Sequence, residues 1–180
     1  MTGPSASRKH FAKQEDAIRY SLLDEDYLVF AWELGRGGER KFLVCTKEVL
    51  WHFYKHLDQK HFYEVIPEHK PCKLYFDLEF LTKSNPDKNG YEMTEALIVL
   101  INKELTDRFN CQSHTEDVLI LDSSHEKKFS VHLIFCKAVF HSNEHCGYFV
   151  RKLLCNSKKD SFEKKRSLKS QLQAMFNSVT

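Results

Sequence analysis

The most regular stretch of the chain is EMTEALIVLINKELTDRF (92–109), where Met93, Leu97, Ile101, Leu105 and Phe109 recur every four residues. Residues four apart stack on one side of a helix, so this spacing predicts an amphipathic helix with those five on its core face. Elsewhere the period shortens to two. CKLYFDLEF (72–80) and KFSVHLIFC (128–136) alternate apolar and polar positions, the mark of strands. DVLILDSS and the polar turn HEKK lead into the second of these and predict a hairpin. DYLVFAWEL (26–34) and RKFLVCT (40–46), separated by the glycine-rich GRGGE (35–39), predict another. HFAKQEDAIRYSLL (10–23) reads as a helix through Phe11, Ala17, Ile18 and Leu22. Thr46 is placed to cap a helix over KEVLWHFYKHLD, with Glu48 in its first turn. FYEVIP (62–67) is a short strand stopped by Pro67. TKSNPDKNG (82–90) is a loop, and HSNEHCGYFVRKLL (141–154) a last short helix. Interleaved helices and hairpins predict an α+β fold, mixed α/β in its element order, with a mainly antiparallel sheet and flanking helices.

Composition supports a globular body: 42% of the 180 residues are hydrophobic and 13% aromatic. The net charge of +2 hides an uneven distribution. Residues 151–180 carry eight Lys/Arg against two acids, whereas the remainder of the chain is net acidic. Any nucleic-acid site in the body must therefore rest on a local patch. Residues 155–180 read as a basic, disordered tail, solvated rather than bound to phosphate. The six cysteines form no CxxC pair, and several sit in apolar runs, which suits reduced, buried thiols. The N-terminus lacks an apolar signal segment and no run approaches membrane-spanning length. The expectation is an intracellular chain with no membrane partner. The basic, acid-free first ten residues leave a mitochondrial address open.

Two strands carry the chemistry. In CKLYFDLEF, Leu74, Phe76, Leu78 and Phe80 share an apolar face, and Lys73, Tyr75, Asp77 and Glu79 share the other. Same-face neighbours on a strand are roughly 7 Å apart. Two carboxylates so placed can converge on divalent cations about 3.5–4 Å apart, and oxygen ligands favour Mg²⁺ or Mn²⁺. The same pattern also describes solvated acids on an open sheet face, paired with Lys73. In KFSVHLIF, Phe129, Val131, Leu133 and Phe135 face the core, while Lys128, Ser130, His132 and Ile134 face away. A point charge, a hydroxyl and an imidazole aligned in this way can grip a polyphosphate. The plainer alternative is a histidine bonded to a neighbouring carbonyl and a serine facing water.

Together CKLYFDLEF and LDSSHEKKFSVHLIF resemble the D-x-E and S-x-H motifs of the archaeo-eukaryotic primase superfamily. The likeness extends through VFAWE, TKEVLWHFYK and YEVIPE and covers roughly residues 10–154. It implies a template-directed nucleotidyltransferase that starts and extends primers on single-stranded DNA, serving replication restart and damage tolerance in the nucleus, the mitochondrial matrix or both. It implies that Asp77 and Glu79 are catalytic and bind the metals, Mn²⁺ or Mg²⁺ in a two-metal arrangement. By the same resemblance Lys128, Ser130 and His132, with Arg40 after the glycine turn, contact the incoming nucleoside triphosphate. Residues 1–154 then form the N-terminal part of the catalytic domain. The chain departs from the pattern in two ways. Val131 stands where relatives often carry Arg, on the core face. The family's third catalytic Asp, later basic contacts and zinc module find no counterpart after residue 154. The expected protein is an incomplete catalytic module: a fragment, a truncated isoform or a partial gene product.

Two competing functions remain open: a catalytically incomplete module that binds DNA or nucleotide, and a metal-dependent nuclease. The Lys128/Ser130/His132 face argues against the nuclease. Asp122, which ends VLILD, is a candidate third acid, although hydrogen bonds to the Ser123–Ser124 turn suit it better. Cys136, His141, His145 and Cys146 have metal-ligating chemistry, but no paired-cysteine knuckle holds them. Zinc is not expected, and Ser142 or Asn143 reads as a helix cap. Trp51, Phe53 and Tyr54 read as core rather than as platforms for bases.

Overall fold

The computed structural model describes residues 8–33, 39–58 and 61–156. They fall into two compact units that part between Pro67 and Glu68. Residues 34–38, which hold most of the glycine-rich turn, and residues 157–180 of the basic tail lie outside the described residues.

The first unit holds a four-stranded antiparallel sheet. Its elements are β1 (Lys9–Phe11), α1 (Gln14–Ser21), β2 (Leu28–Glu33), β3 (Arg40–Cys45), α2 (Lys47–Tyr54) and β4 (Phe62–Val65). The spatial order is β1-β3-β2-β4. Strand alternation splits the apolar residues between two helices. Val29, Ala31, Phe42 and Val44 meet Ala17 of α1, and Phe30, Leu43 and Cys45 meet Val49 of α2. Thr46 does cap α2, accepting the Val49 amide at 3.4 Å.

Two expectations fail here. The stretch 10–23 is not one helix: residues Lys9–Phe11 pair with β3 instead, and Phe11 folds back onto the Tyr20 ring at 5.4 Å. An open sheet edge competes for backbone hydrogen bonds and takes the first turn of the predicted helix. Trp51 and Phe53 are 63% and 39% exposed rather than core. A two-turn helix can bury only one side, and Trp51 lies about 200° around the axis from buried Val49.

The second unit is a three-stranded antiparallel sheet in the order β5-β7-β6. Its strands are β5 (Cys72–Leu81), β6 (Val118–Asp122) and β7 (Lys128–Phe140), accompanied by α3 (Gly90–Phe109) and α4 (Asn143–Asn156). The predicted loop after β5 contains a short 3₁₀ turn, Thr82–Ser84. Leu74, Phe76, Leu78, Phe80, Phe129, Val131, Leu133 and Phe135 are all buried, as alternation predicts. The N-terminus of α3 sits on this face. Tyr91 meets the Phe129 ring edge-on at 5.3 Å, and a Cβ at Gly90 would collide with that ring. Asn89 caps α3 by accepting the Tyr91 and Glu92 amides. Asn110, in the left-handed conformation at φ 51°, ends it while Cys111 donates back to the Leu105 carbonyl.

Met93, Leu97, Ile101 and Leu105 are buried, but Phe109 is 55% exposed. A strict four-residue repeat gains about 40° per step on a 3.6-residue helix, so its last member leaves the core side. Thr94 and Ile98 take up the drift as buried neighbours.

Leu78 is fully buried and separates Asp77 from Glu79 along β5. Leu78→Ala is expected to cost about 2–5 kcal/mol of stability. The check is the urea midpoint, together with proteolytic release of the β5–β7 segment.

Candidate active-site face

Because β5 and β7 pair antiparallel in fixed register, residues opposite each other share a face. Asp77 lies opposite His132, Glu79 opposite Ser130, and Leu81 opposite Lys128. Five predicted site residues are thereby brought together on the side of the sheet away from α3. His132 Nε2 is 3.2 Å from Asp77 Oδ1, and Lys128 Nζ is 2.5 Å from Glu79 Oε2. Acidic and basic side chains alternate across the strand pair, and all four remain partly exposed. Pairs this exposed are worth only about 0–1 kcal/mol, so they part readily for a ligand.

Lys73 does not pair with the acids, contrary to the alternative reading. It donates instead to the Cys136 carbonyl at 2.6 Å, where β7 bulges and the register jumps between Lys73 and Leu74. Ser130 is buried rather than water-facing. Its hydroxyl accepts from Ser123 Oγ at 3.2 Å, its amide donates to Ser124 Oγ at 3.0 Å, and its carbonyl accepts the Ser123 amide at 2.9 Å. Ser123 and Ser124 therefore support the site. Their signal in the sequence was the serine pair before the hairpin turn. The turn itself is tight: His125 and Lys128 exchange backbone hydrogen bonds at 2.8 and 3.0 Å. Thr82 ties β5 to it by donating to the Glu126 and Lys127 carbonyls.

Asp122 is directed elsewhere. It lies opposite Val131, on the face that packs toward α3. It accepts the Ser124 amide at 2.8 Å and the Tyr91 hydroxyl at 3.0 Å. These bonds, from Ser124 first and then Tyr91, hold its carboxyl below the ordinary Asp range. Arg40 belongs to the first unit, at the start of β3, where it pairs with Glu33 at 3.2 Å.

The cysteine–histidine cluster separates. Cys146 is buried with its sulfur 3.6 Å from that of Cys72, while Cys136 is exposed. Burial, with Cys72 alongside, pushes the Cys146 thiol up, which suits packing rather than reactivity. Ser142 caps α4 by accepting the His145 amide at 3.4 Å.

Two same-face carboxylates backed by a rigid strand fit a hard divalent cation that keeps waters or phosphate oxygens as its other ligands. Among the described residues, no group of three or more His, Cys, Asp or Glu side chains is arranged to hold an ion.

The class is therefore an α+β protein with paired acids on an open antiparallel sheet. No family profile matches the chain, but curated proteins do. It is 45% identical over 158 residues to the DNA-directed primase/polymerase protein of Gallus gallus. It is 46% identical over 156 residues to that of Mus musculus and 42% over 156 residues to that of Homo sapiens. Each match covers 84% of this chain but only 28–29% of the relative. The chain is a homologue of the DNA-directed primase/polymerase proteins and spans between a quarter and a third of their length.

Asp122 gives a pH signature. A carboxyl held below its unfolded value stabilises the fold at neutral pH and loses that contribution as pH falls through its folded pKa. Asp122→Asn is expected to lower the urea midpoint at pH 7. The gap to wild type should close below about pH 4, where the ordinary Asp protonates.

Proposed function

We propose that the β5–β7 face is the metal- and nucleotide-binding half of a template-directed primase/polymerase site acting on single-stranded DNA. Asp77 and Glu79 bind Mn²⁺ or Mg²⁺, and Lys128 and His132 orient the triphosphate. Ser130, fixed by Ser123 and Ser124, sets the strand beneath them. The observation that carries this reading is the register that places Asp77 against His132 and Glu79 against Ser130. The bound cations would activate a 3′-hydroxyl for attack on the α-phosphate and offset charge on the departing pyrophosphate. In the ligand-free face Lys128 pairs with Glu79 and His132 lies against Asp77. On binding, Lys128 and His132 would turn from the carboxylates to the phosphates.

A second reading, a module that binds nucleotide without catalysing its transfer, is favoured by one observation. Asp122 stands on the other face of the sheet, and no other described side chain completes a three-ligand set with Asp77 and Glu79.

Two measurements separate these readings. Binding of a fluorescent nucleoside triphosphate should require Mn²⁺ and weaken about tenfold or more in Asp77→Ala/Glu79→Ala and in Lys128→Ala. Unchanged binding in both variants would overturn the assignment of the face. Nucleotide incorporation on a single-stranded DNA template then distinguishes the two. Product formed by the wild type and lost in the double variant marks an enzyme, and intact binding without product marks a binding module.

A further inference from the structure

At the far end of β7 a groove of about 600 Å³ opens between the C-terminal end of α3, the last residues of β7 and the exposed side of α4. By its register on β5, where Asp77 faces His132 and Lys73 faces Val139, it lies four residues, roughly 13 Å, further along the sheet than His132. Its walls are aromatic. Phe109, Phe140 and Phe149 form a cluster with ring centroids 5.3–6.1 Å apart. Phe149 is buried beneath them, whereas Phe109 and Tyr148 are more than half exposed and present open ring surface. Its rim is cationic or basic: Arg108, Lys137, Lys152, His141 and His145 line it, and no acid does. Arg108 and Lys137 are partnered outside the groove, by Glu104 at 2.6 Å and Asp117 at 2.9 Å. Lys152 sits 5.5 Å from the Tyr148 ring centroid, and the two imidazoles are 5.6 Å apart. Among the described residues, no ion pair takes Lys152, His141 or His145.

We infer that this groove is a second binding site for single-stranded nucleic acid, separate from the acid-bearing face. The chemistry selects the ligand. Open aromatic rings accept the π-face of any base, and flanking cations track a phosphodiester backbone. An acyl chain would prefer aliphatic walls, and here Leu105, Ala138 and Val139 are outnumbered by rings. An acidic peptide would use the cations but leave Phe109 and Tyr148 without a partner. The pairing of Lys152 with Tyr148 joins both requirements at one point: a base stacked on the ring brings its phosphate to the ammonium. Strand binding here needs neither Asp77 nor Glu79, so it stands or falls independently of the metal-site reading.

The test is fluorescence anisotropy of the 180-residue chain with a labelled thymidine oligonucleotide of about 12 nucleotides, in EDTA, at low salt and without nucleotide. Wild type is expected to bind, with affinity falling as salt rises. Tyr148→Ala/Lys152→Ala and Phe109→Ala should each weaken binding about tenfold or more. Asp77→Ala/Glu79→Ala should bind within about twofold of wild type. Tyr148, Lys152 and Phe109 are surface side chains, and circular dichroism confirms the fold of each variant. Wild-type affinity in the Tyr148/Lys152 variant overturns the proposal. So does loss of binding in Lys128→Ala alone, which would move the strand to the metal face. Equal affinity for an abasic oligonucleotide, or displacement by polyglutamate at equal charge concentration, also overturns it, because either would mean that charge acts without base stacking.

Discussion

The register of β5 against β7 is the constraint on which the second unit depends. Side chains alternate with a period of two, so a slip of one residue would turn every apolar position outward. Asp77 and Glu79 would then face α3, where an ionised carboxylate costs several kcal/mol to bury. The register of β5 is pinned at the Lys128 end, where Thr82 donates to the Glu126 and Lys127 carbonyls. At the other end the sheet tolerates an irregularity: Lys73 faces Val139 and Leu74 faces Phe135. The bulge lies well beyond the acids and leaves their alignment with Ser130 and His132 intact.

Two like charges on adjacent same-face positions repel, and the fold answers with His132 directly across from Asp77 and Lys128 reaching Glu79 diagonally from its place opposite Leu81. These pairs do little for stability because water reaches both members. Their value is positional: the register keeps Lys128 and His132 beside the two acids on one open face, the arrangement on which the proposed metal and nucleotide site rests. Ser130 is different in kind. It is buried and bonded to Ser123 and Ser124, so it fixes the strand between Lys128 and His132.

Much of this was legible in the chain because it follows from local periodicity. The alternation in 72–80 and 128–136 identified both core faces and both polar faces, and the repeat in 92–109 located α3. The failures come from partners distant in sequence and from helix geometry. Residues 10 and 11 look helical until the edge of β3 offers them a ladder. Trp51 looks like core until the sheet is seen to receive only one side of α2. Phe109 fits a four-residue count that a real helix does not keep. Local pattern could not reveal the Tyr91–Asp122 and Lys73–Cys136 contacts either, since each joins segments whose proximity exists only in the folded unit.

The same alternation bears on a third metal ligand. On β6, the residues that share the acid face are Leu119, opposite Ile134, and Leu121, opposite His132. Asp122 is one position out of phase, and moving it onto that face would require shifting β6 against β7 and breaking the Ser123–Ser130 bonds. The sheet as registered therefore offers two carboxylates and no more from its described strands. A magnesium-sized cation asks for six oxygens but commonly takes only one or two from carboxylates, with water and substrate phosphates supplying the rest. For this face, then, nucleotide and metal are expected to bind as a unit, each completing the other's contacts. A metal alone, offered two partly hydrated carboxylates already engaged by Lys128 and His132, would have little to gain.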